Sequence, residues 1–251
     1  MSEARHAFIT GGGSGIGLAT ARALAASGAK LTLAGRSLEK VAAAAEEFEF
    51  AHAVACDVTD EASINVAFAA ARDRYGAIDI LINNAGQAPS APFKRTTLAF
   101  WNNVLATNLT GAFLCTHAAL PDMIDAKWGR IVNVGSVCSL KGYAYVSAYV
   151  ASKHGLLGLT RALAHETAKQ GVTVNCVCPG YVDTPIISES IDRLTSKTAL
   201  TADEAHASLI QFNPQGRIIT PEEVASAIAY LCTDAAASIN GAAVPITGGE
   251  V

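Results

Sequence analysis

The feature that most constrains this chain is an alternation. Short apolar segments rich in β-branched residues fall at 6–10, 31–34, 53–56, 78–82, 130–134, 172–177 and 242–246. Between successive segments lie stretches with helical spacing of apolar residues, as in 18–27, 38–48, 61–75, 98–120, 148–169 and 221–232. Strands that alternate with helices pair in parallel, because each helix carries the chain back to the starting edge. The pattern predicts an α/β fold with one seven-stranded, doubly wound parallel sheet flanked by helices. No repeat, linker or low-complexity tract interrupts the 251 residues, so a single domain spanning 1–251 is expected. The irregular stretch at about 181–220 follows the sixth strand, where such a fold would place a substrate lid.

In a doubly wound sheet, ligands bind outside the carboxyl ends of the strands. Those ends carry the unusual residues of this chain. The first strand runs straight into Gly11-Gly-Gly-Ser14-Gly15-Ile16-Gly17, a turn whose glycines let a backbone approach a pyrophosphate at a helix N-terminus. A strand, a glycine turn and a helix in that order predict a Rossmann-type dinucleotide site. The second strand ends at Gly35-Arg36, with no carboxylate before Glu39. A guanidinium suits a ribose 2′-phosphate and has no use for a diol, which favours NADP(H), with NAD(H) the alternative. Asp57 and Val58 end the third strand, where the carboxylate would either touch an adenine edge or cap the next helix. The fourth strand ends in Asn83-Asn84-Ala85-Gly86. Here the asparagines can tie neighbouring loops together, and Gly86 admits a ligand closely. Pro179-Gly180 ends the sixth.

The fifth strand ends at Gly135-Ser136, and Tyr149 and Lys153 follow on the next helix at i and i+4. That spacing puts phenol and ammonium on one side of the helix, one turn apart. Tyrosine ionises near pH ~10 in water and is a poor acid or base at neutral pH unless a cation favours its phenolate. Tyr143 and Tyr145 compete for this role but have Ser147 and Tyr149 four residues on, so only Tyr149 has the lysine. Asn108, a poor helix former, lies inside the 98–120 stretch.

Composition removes other classes. Net charge is −4 with no basic run, which gives no footprint for nucleic acid. No apolar run reaches the ~18 residues needed to span a bilayer, and 6–10 is too short for a secretory core. A cytoplasmic protein without a membrane partner is therefore expected. The six cysteines form no C-x-x-C pair and read as reduced core thiols, and no metal site is expected.

Over nearly its whole length the chain resembles the short-chain dehydrogenase/reductase family. The resemblance rests on Thr10-Gly-Gly-Gly-Ser-Gly-Ile-Gly17, Asn83-Asn-Ala-Gly86, Asn108, Ser136, Tyr149-x-x-x-Lys153, Pro179-Gly180 and Gly248-Gly249. It implies an oxidoreductase that moves a hydride between a nicotinamide dinucleotide and a ketone or secondary alcohol. Tyr149 would be the general acid/base and Ser136 would hold the substrate oxygen, with Cys138 beside it. Lys153 would bind the nicotinamide ribose and depress the tyrosine pKa, and Asn108 would help hold a relay water. Gly11, Ser14, Gly15, Ile16, Gly17, Arg36, Asp57, Val58, Asn84, Ala85, Gly86, Pro179 and Gly180 would line the cofactor, while Val182 and Thr184 meet the carboxamide. Ser14 departs from members with Lys or Arg there, which leaves Arg36 as the cation for a 2′-phosphate. The 176–232 stretch is most similar to ketoreductases of 3-oxoacyl thioesters and polyketides. Such a substrate is a CoA or carrier-protein thioester, for whose phosphate Lys94, Arg95 and Arg193 are candidates, although the reading favoured for these three is solvated surface charge. Other readings are a dehydrogenase of small or cyclic ketones, alcohols or sugars, or a nucleotide-sensing protein without catalysis. The resemblance also implies a homotetramer.

Overall fold

The computed structural model describes residues 4–185, 187, 195 and 201–251. Its strands are β1 (His6–Thr10), β2 (Lys30–Gly35), β3 (Ala51–Ala55), β4 (Ile80–Asn83), β5 (Gly129–Val134), β6 (Val172–Pro179) and β7 (Ala243–Ile246). They form one sheet in the order β3-β2-β1-β4-β5-β6-β7, every pair parallel. From β1 the chain winds outward to β3 and then returns to β4 on the other side of β1. The reversal opens a crevice above the carboxyl ends of β1 and β4. The expected seven-stranded Rossmann-type sheet is the one observed.

The helices are α1 (Gly15–Ala26), α2 (Leu38–Ala45), α3 (Glu61–Tyr75), α4 (Leu98–Leu105), α5 (Gly111–Ala126), α6 (Ser147–Thr167), α7 (Ala202–Ile210) and α8 (Pro221–Leu231). Successive strand residues point to opposite faces, so the strands feed two separate cores. Ala7, Ile9, Leu31 and Leu33 pack with Leu24, Val41, Val224 and Ile228 from α1, α2 and α8. Phe8, Leu81 and Ile131 pack with Phe68, Cys115 and Met123 from α3 and α5. Phe8 stacks on Phe68 with ring centroids 4.1 Å apart. All six cysteines are free and buried.

One expectation changes in detail. The helix expected over 98–120 contains one wide turn at Ala106–Thr110, which includes Asn108, and α5 then runs on through Pro121. On α6 the buried stripe is Ser152, Lys153, Leu156, Leu157, Thr160, Ala164 and Thr167, and Leu159 and Leu163 are only partly covered. That stripe is half polar because it rests on the strand ends that hold the site. Of the expected lid at 181–220, residues 186, 188–194 and 196–200 lie outside the described residues, Arg193 among them. No helix among the described residues is long and apolar enough to cross a membrane.

A buried polar chain locks α6 to the sheet. Asn83 Nδ2 on β4 donates to Asn133 Oδ1 on β5 (2.9 Å), and Asn133 Nδ2 donates to Thr160 Oγ1 on α6 (2.9 Å). Asn133 is 1% exposed, so neither partner has water as a substitute. Asn133→Ala should remove about 2 kcal/mol of stability through lost hydrogen bonds and a small cavity. Urea denaturation checks this, and a loss below about 0.5 kcal/mol would mean that the chain of amides does not hold the helix.

Candidate active site

β5 ends at Val134, and Ser136 opens a short helical turn at Val137–Ser139 with its hydroxyl accepting from the Cys138 N–H (3.1 Å). Thirteen residues on, α6 returns across this end. Its Lys153 Nζ donates to the Val134 carbonyl (2.7 Å), and the Tyr149 ring centre lies 5.7 Å from that nitrogen. Ser136 faces the Tyr149 phenol and favours its ionised form. The three residues singled out in the sequence therefore meet at one strand end. Cys138 is buried beside them, its thiol pushed up to about 11 by burial.

The electrostatics differ from expectation. Burial, followed by the nearby Cys138, pushes the Tyr149 phenol above its ordinary value, and Ser136 offsets this only in part. Burial also lowers Lys153 to about 8, because a desolvated ammonium is costly. In the bare protein burial thus sets the direction of the Tyr149 shift. The same desolvation drives both groups toward neutrality, and the ammonium is held by a carbonyl oxygen.

Asn108 lies in the wide turn ahead of α5. Its Oδ1 accepts from the Gln87 N–H (2.9 Å), and its Nδ2 donates to the Gln87 carbonyl (2.9 Å) and Ser152 Oγ (3.2 Å). Both amide hydrogens are thereby committed to shaping the loop after β4. That loop brings Gly86 so close that a Cβ there would lie 3.3 Å from Asn108 Oδ1 and 3.7 Å from Lys153 Nζ.

The glycine turn is held by its neighbours. Thr10 Oγ1 accepts from the N–H groups of Asn84 and Ala85 (3.0 Å each). Asn84 Nδ2 donates to the carbonyls of Thr10 (3.0 Å) and Gly11 (3.1 Å), so Asn84 braces the turn. A Cβ on Gly17 would collide with the Gly11 carbonyl and with Asn84 Nδ2, so the helix can start this close to the strand only with glycine. Ser14 is the N-cap residue of α1 without using its hydroxyl as a cap, and Ile16 packs on the core beneath. A Cβ on Gly15 would sit 3.0 Å from Thr184 Cγ2, so the segment after Pro179-Gly180 closes over the turn. There Val182 bridges to Ile219 through the backbone of Tyr181 and Asp183, which leaves its own N–H outside the bridge. The turn, with its bare helix N-terminus and room only for glycine, fits a pyrophosphate.

Arg36 is exposed at the end of β2, near enough to Asp57 to lower its carboxyl slightly. The larger cause of that lowering is Thr59, whose N–H and hydroxyl donate to Asp57 Oδ1 (2.9 and 2.7 Å). Asp57 thus forms a local turn, and Val58 is buried against Gly111. Lys40 was missed. A Cβ on Gly13 would lie 3.2 Å from Lys40 Cγ, so the stem of a lysine lies against the glycine turn. The available signal was position, since Lys40 falls in the first turn of the helix that starts just past Arg36. Tyr181 was also missed as a site residue; its ring affects the Tyr149 phenol. Among the described residues no cluster of metal-ligating side chains exists.

The family model for the short chain dehydrogenases matches residues 5–194. The chain belongs to that family. Within it, a protein named as the ketoacyl reductase of the monensin polyketide synthase, from Streptomyces virginiae, is 42% identical over 99% of this chain and 98% of its own length. A D-β-hydroxybutyrate dehydrogenase of Cupriavidus necator is 37% identical over 100% and 99%. The solved structure of a point variant of actinorhodin polyketide ketoreductase with NADPH superposes with a TM-score of 0.96 at 35% identity, covering 100% of this chain and 98% of that one. As a short chain dehydrogenase, the protein is an oxidoreductase acting on CH–OH groups.

The depressed Lys153 carries a stability signature. In the folded protein it loses its proton near pH 8 and in the unfolded chain near 10.5, so between them the unfolded state binds more protons and stability rises with pH. Compared with Lys153→Met, the wild-type protein should gain ~2 kcal/mol between pH 7 and pH 10. Paired denaturation curves without cofactor measure this, and a flat difference would contradict a desolvated ammonium.

Proposed function

We propose that the protein reduces the ketone of a 3-oxoacyl thioester to the secondary alcohol, or runs the reverse, with NADP(H) as the cofactor. The observation that carries this reading is the meeting of Ser136, Tyr149 and Lys153 at the carboxyl end of β5, beside Gly86 and the glycine turn. The dinucleotide supplies the hydride when bound. Gly11 to Gly17 would hold its pyrophosphate, and Arg36 and Lys40 a ribose 2′-phosphate, with the NADPH-bound relative in support. Ser136 accepts or donates at the substrate oxygen and fixes it against the phenol. Tyr149 gives that oxygen its hydroxyl proton as the carbon is reduced, which suits a phenol that burial keeps protonated. Lys153 holds the ribose and supports the phenolate that remains, while Asn108 keeps the loop in place for proton return from solvent.

The thioester reading is supported by the cleft rim. Lys94 and Arg95 are exposed on the loop after Gly86, and that loop is tied to the far wall by the Ala91 N–H donating to the Tyr145 carbonyl (2.8 Å). Two cations there suit the phosphates of a CoA or carrier arm. Leu98 and Phe113 are exposed apolar residues on α4 and α5, which supports a homotetramer.

NADPH and NADH oxidation with acetoacetyl-CoA tests the reading. Tyr149→Phe should cut kcat about a thousandfold and leave NADPH affinity nearly unchanged, because only the proton donor is lost. Retention of a tenth of the activity would remove Tyr149 from that role. Arg36→Asp should lower the NADPH/NADH ratio of kcat/KM about ten- to hundredfold. An unchanged ratio would leave Arg36 a solvated residue.

A further inference from the structure

The chain's last residues turn back toward the loop that follows Ser136 and the end of β6. Gly248 and Gly249 have φ of +63° and +100°, and a Cβ on Gly248 would collide with the Asn213 side chain, so this reversal is built for glycine. It delivers Glu250 to the loop that follows Ser136. The Glu250 side chain is 3% exposed and its Oε1 pairs with Lys141 Nζ at 3.1 Å. The same oxygen accepts from the Tyr143 hydroxyl, and the Glu250 backbone carbonyl accepts from Lys141 Nζ (3.4 Å). Glu250 Oε2 also faces Gly180, at the end of β6.

Tyr143 is one side of an aromatic wall. Phe212 meets it edge-on (centroids 5.9 Å, 84°) and lies nearly parallel to Tyr181 (6.0 Å, 30°). The wall adjoins the reacting groups, since Tyr181 follows the carboxyl end of β6, whose Val177 pairs with Val134 at the end of β5, and Tyr143 lies on the loop after Ser136. Lys141 is a cation on the same loop as Tyr143. Its charge is spent on Glu250.

We propose that Glu250 sets the charge selectivity of the cleft: by engaging Lys141 and the Tyr143 hydroxyl it leaves a wall that accepts an uncharged ester or thioester beside the ketone and rejects a free carboxylate. The proposal rests on the reading that the protein reduces 3-oxo compounds. A carboxylate entering this space meets a fixed like charge in a desolvated site, with the compensating cation already used. Relatives of equal length include both a ketoacyl reductase and a hydroxybutyrate dehydrogenase, so the fold by itself does not choose the substrate's charge.

The experiment compares methyl acetoacetate with acetoacetate for kcat/KM, and methyl 3-hydroxybutyrate with 3-hydroxybutyrate for calorimetric affinity, in the presence of the dinucleotide. The wild-type enzyme should favour the ester in both by at least about tenfold. Glu250→Gln frees Lys141, and the ester-to-acid ratio should fall about tenfold or more, mainly through KM and affinity for the acid. Glu250→Gln combined with Lys141→Met should restore the ester preference, since the freed cation is then absent. A wild-type preference for the acid, or a ratio that stays fixed in Glu250→Gln while both rates fall, would overturn the proposal and make the tail a structural prop. Absence of turnover with both compounds in the wild type would instead defeat the 3-oxo reading, and the affinity ratios would still decide what Glu250 does.

Discussion

One hydrogen bond organises this protein: the Lys153 ammonium, on a helix, donating to the Val134 carbonyl at the end of a central strand. The last carbonyls of a parallel strand lack a partner once the neighbouring strands diverge, and a buried ammonium cannot remain without one. Each group satisfies the other. The bond also fixes where α6 crosses the sheet, and with it the distance from Tyr149 to Ser136. The chain of amides from Asn83 through Asn133 to Thr160 repeats the device two turns further along the helix. The geometry of the site is therefore a consequence of how buried polar groups are satisfied.

The price of that arrangement is electrostatic. Ser136 and Lys153 are buried at the strand end, and burial holds the phenol of the bare site protonated and its ammonium close to losing a proton. A protein with only these residues is a poor base. Its acid/base character depends on what binds above the glycine turn, where the Thr10 and Asn84 hydrogen bonds hold β1 and β4 in position to receive it. Binding and proton transfer are thus coupled through charge at one crevice.

Much of this was legible in the sequence because two periodicities carry it. The strand-helix alternation and the residues at strand ends define the sheet and place Gly11, Arg36, Asn84, Ser136 and Pro179 on one side of it. The i, i+4 spacing of Tyr149 and Lys153 defines the reacting pair. What was not legible depends on contacts between distant residues. Glu250 meets Lys141 across 109 residues, and the Lys40 side chain packs against Gly13 from the next helix. The wide turn at Asn108 was only hinted at, since an asparagine in a helix marks a local cause without naming Gln87 as its partner. The burial that raises the bare Tyr149 phenol was illegible for the same reason: spacing reveals the nearby lysine, but burial is set by the whole fold.

The most direct test of this account is the ionisation of Tyr149 itself. Ultraviolet difference spectra near the tyrosinate band, wild type minus Tyr149→Phe, isolate this phenol across a pH titration. Without dinucleotide, no step should appear below pH ~10, because burial outweighs the lysine. With the oxidised dinucleotide bound, a step should appear at lower pH. A neutral-pH step in the bare protein would contradict the account, since Lys153 would then govern the phenol unaided.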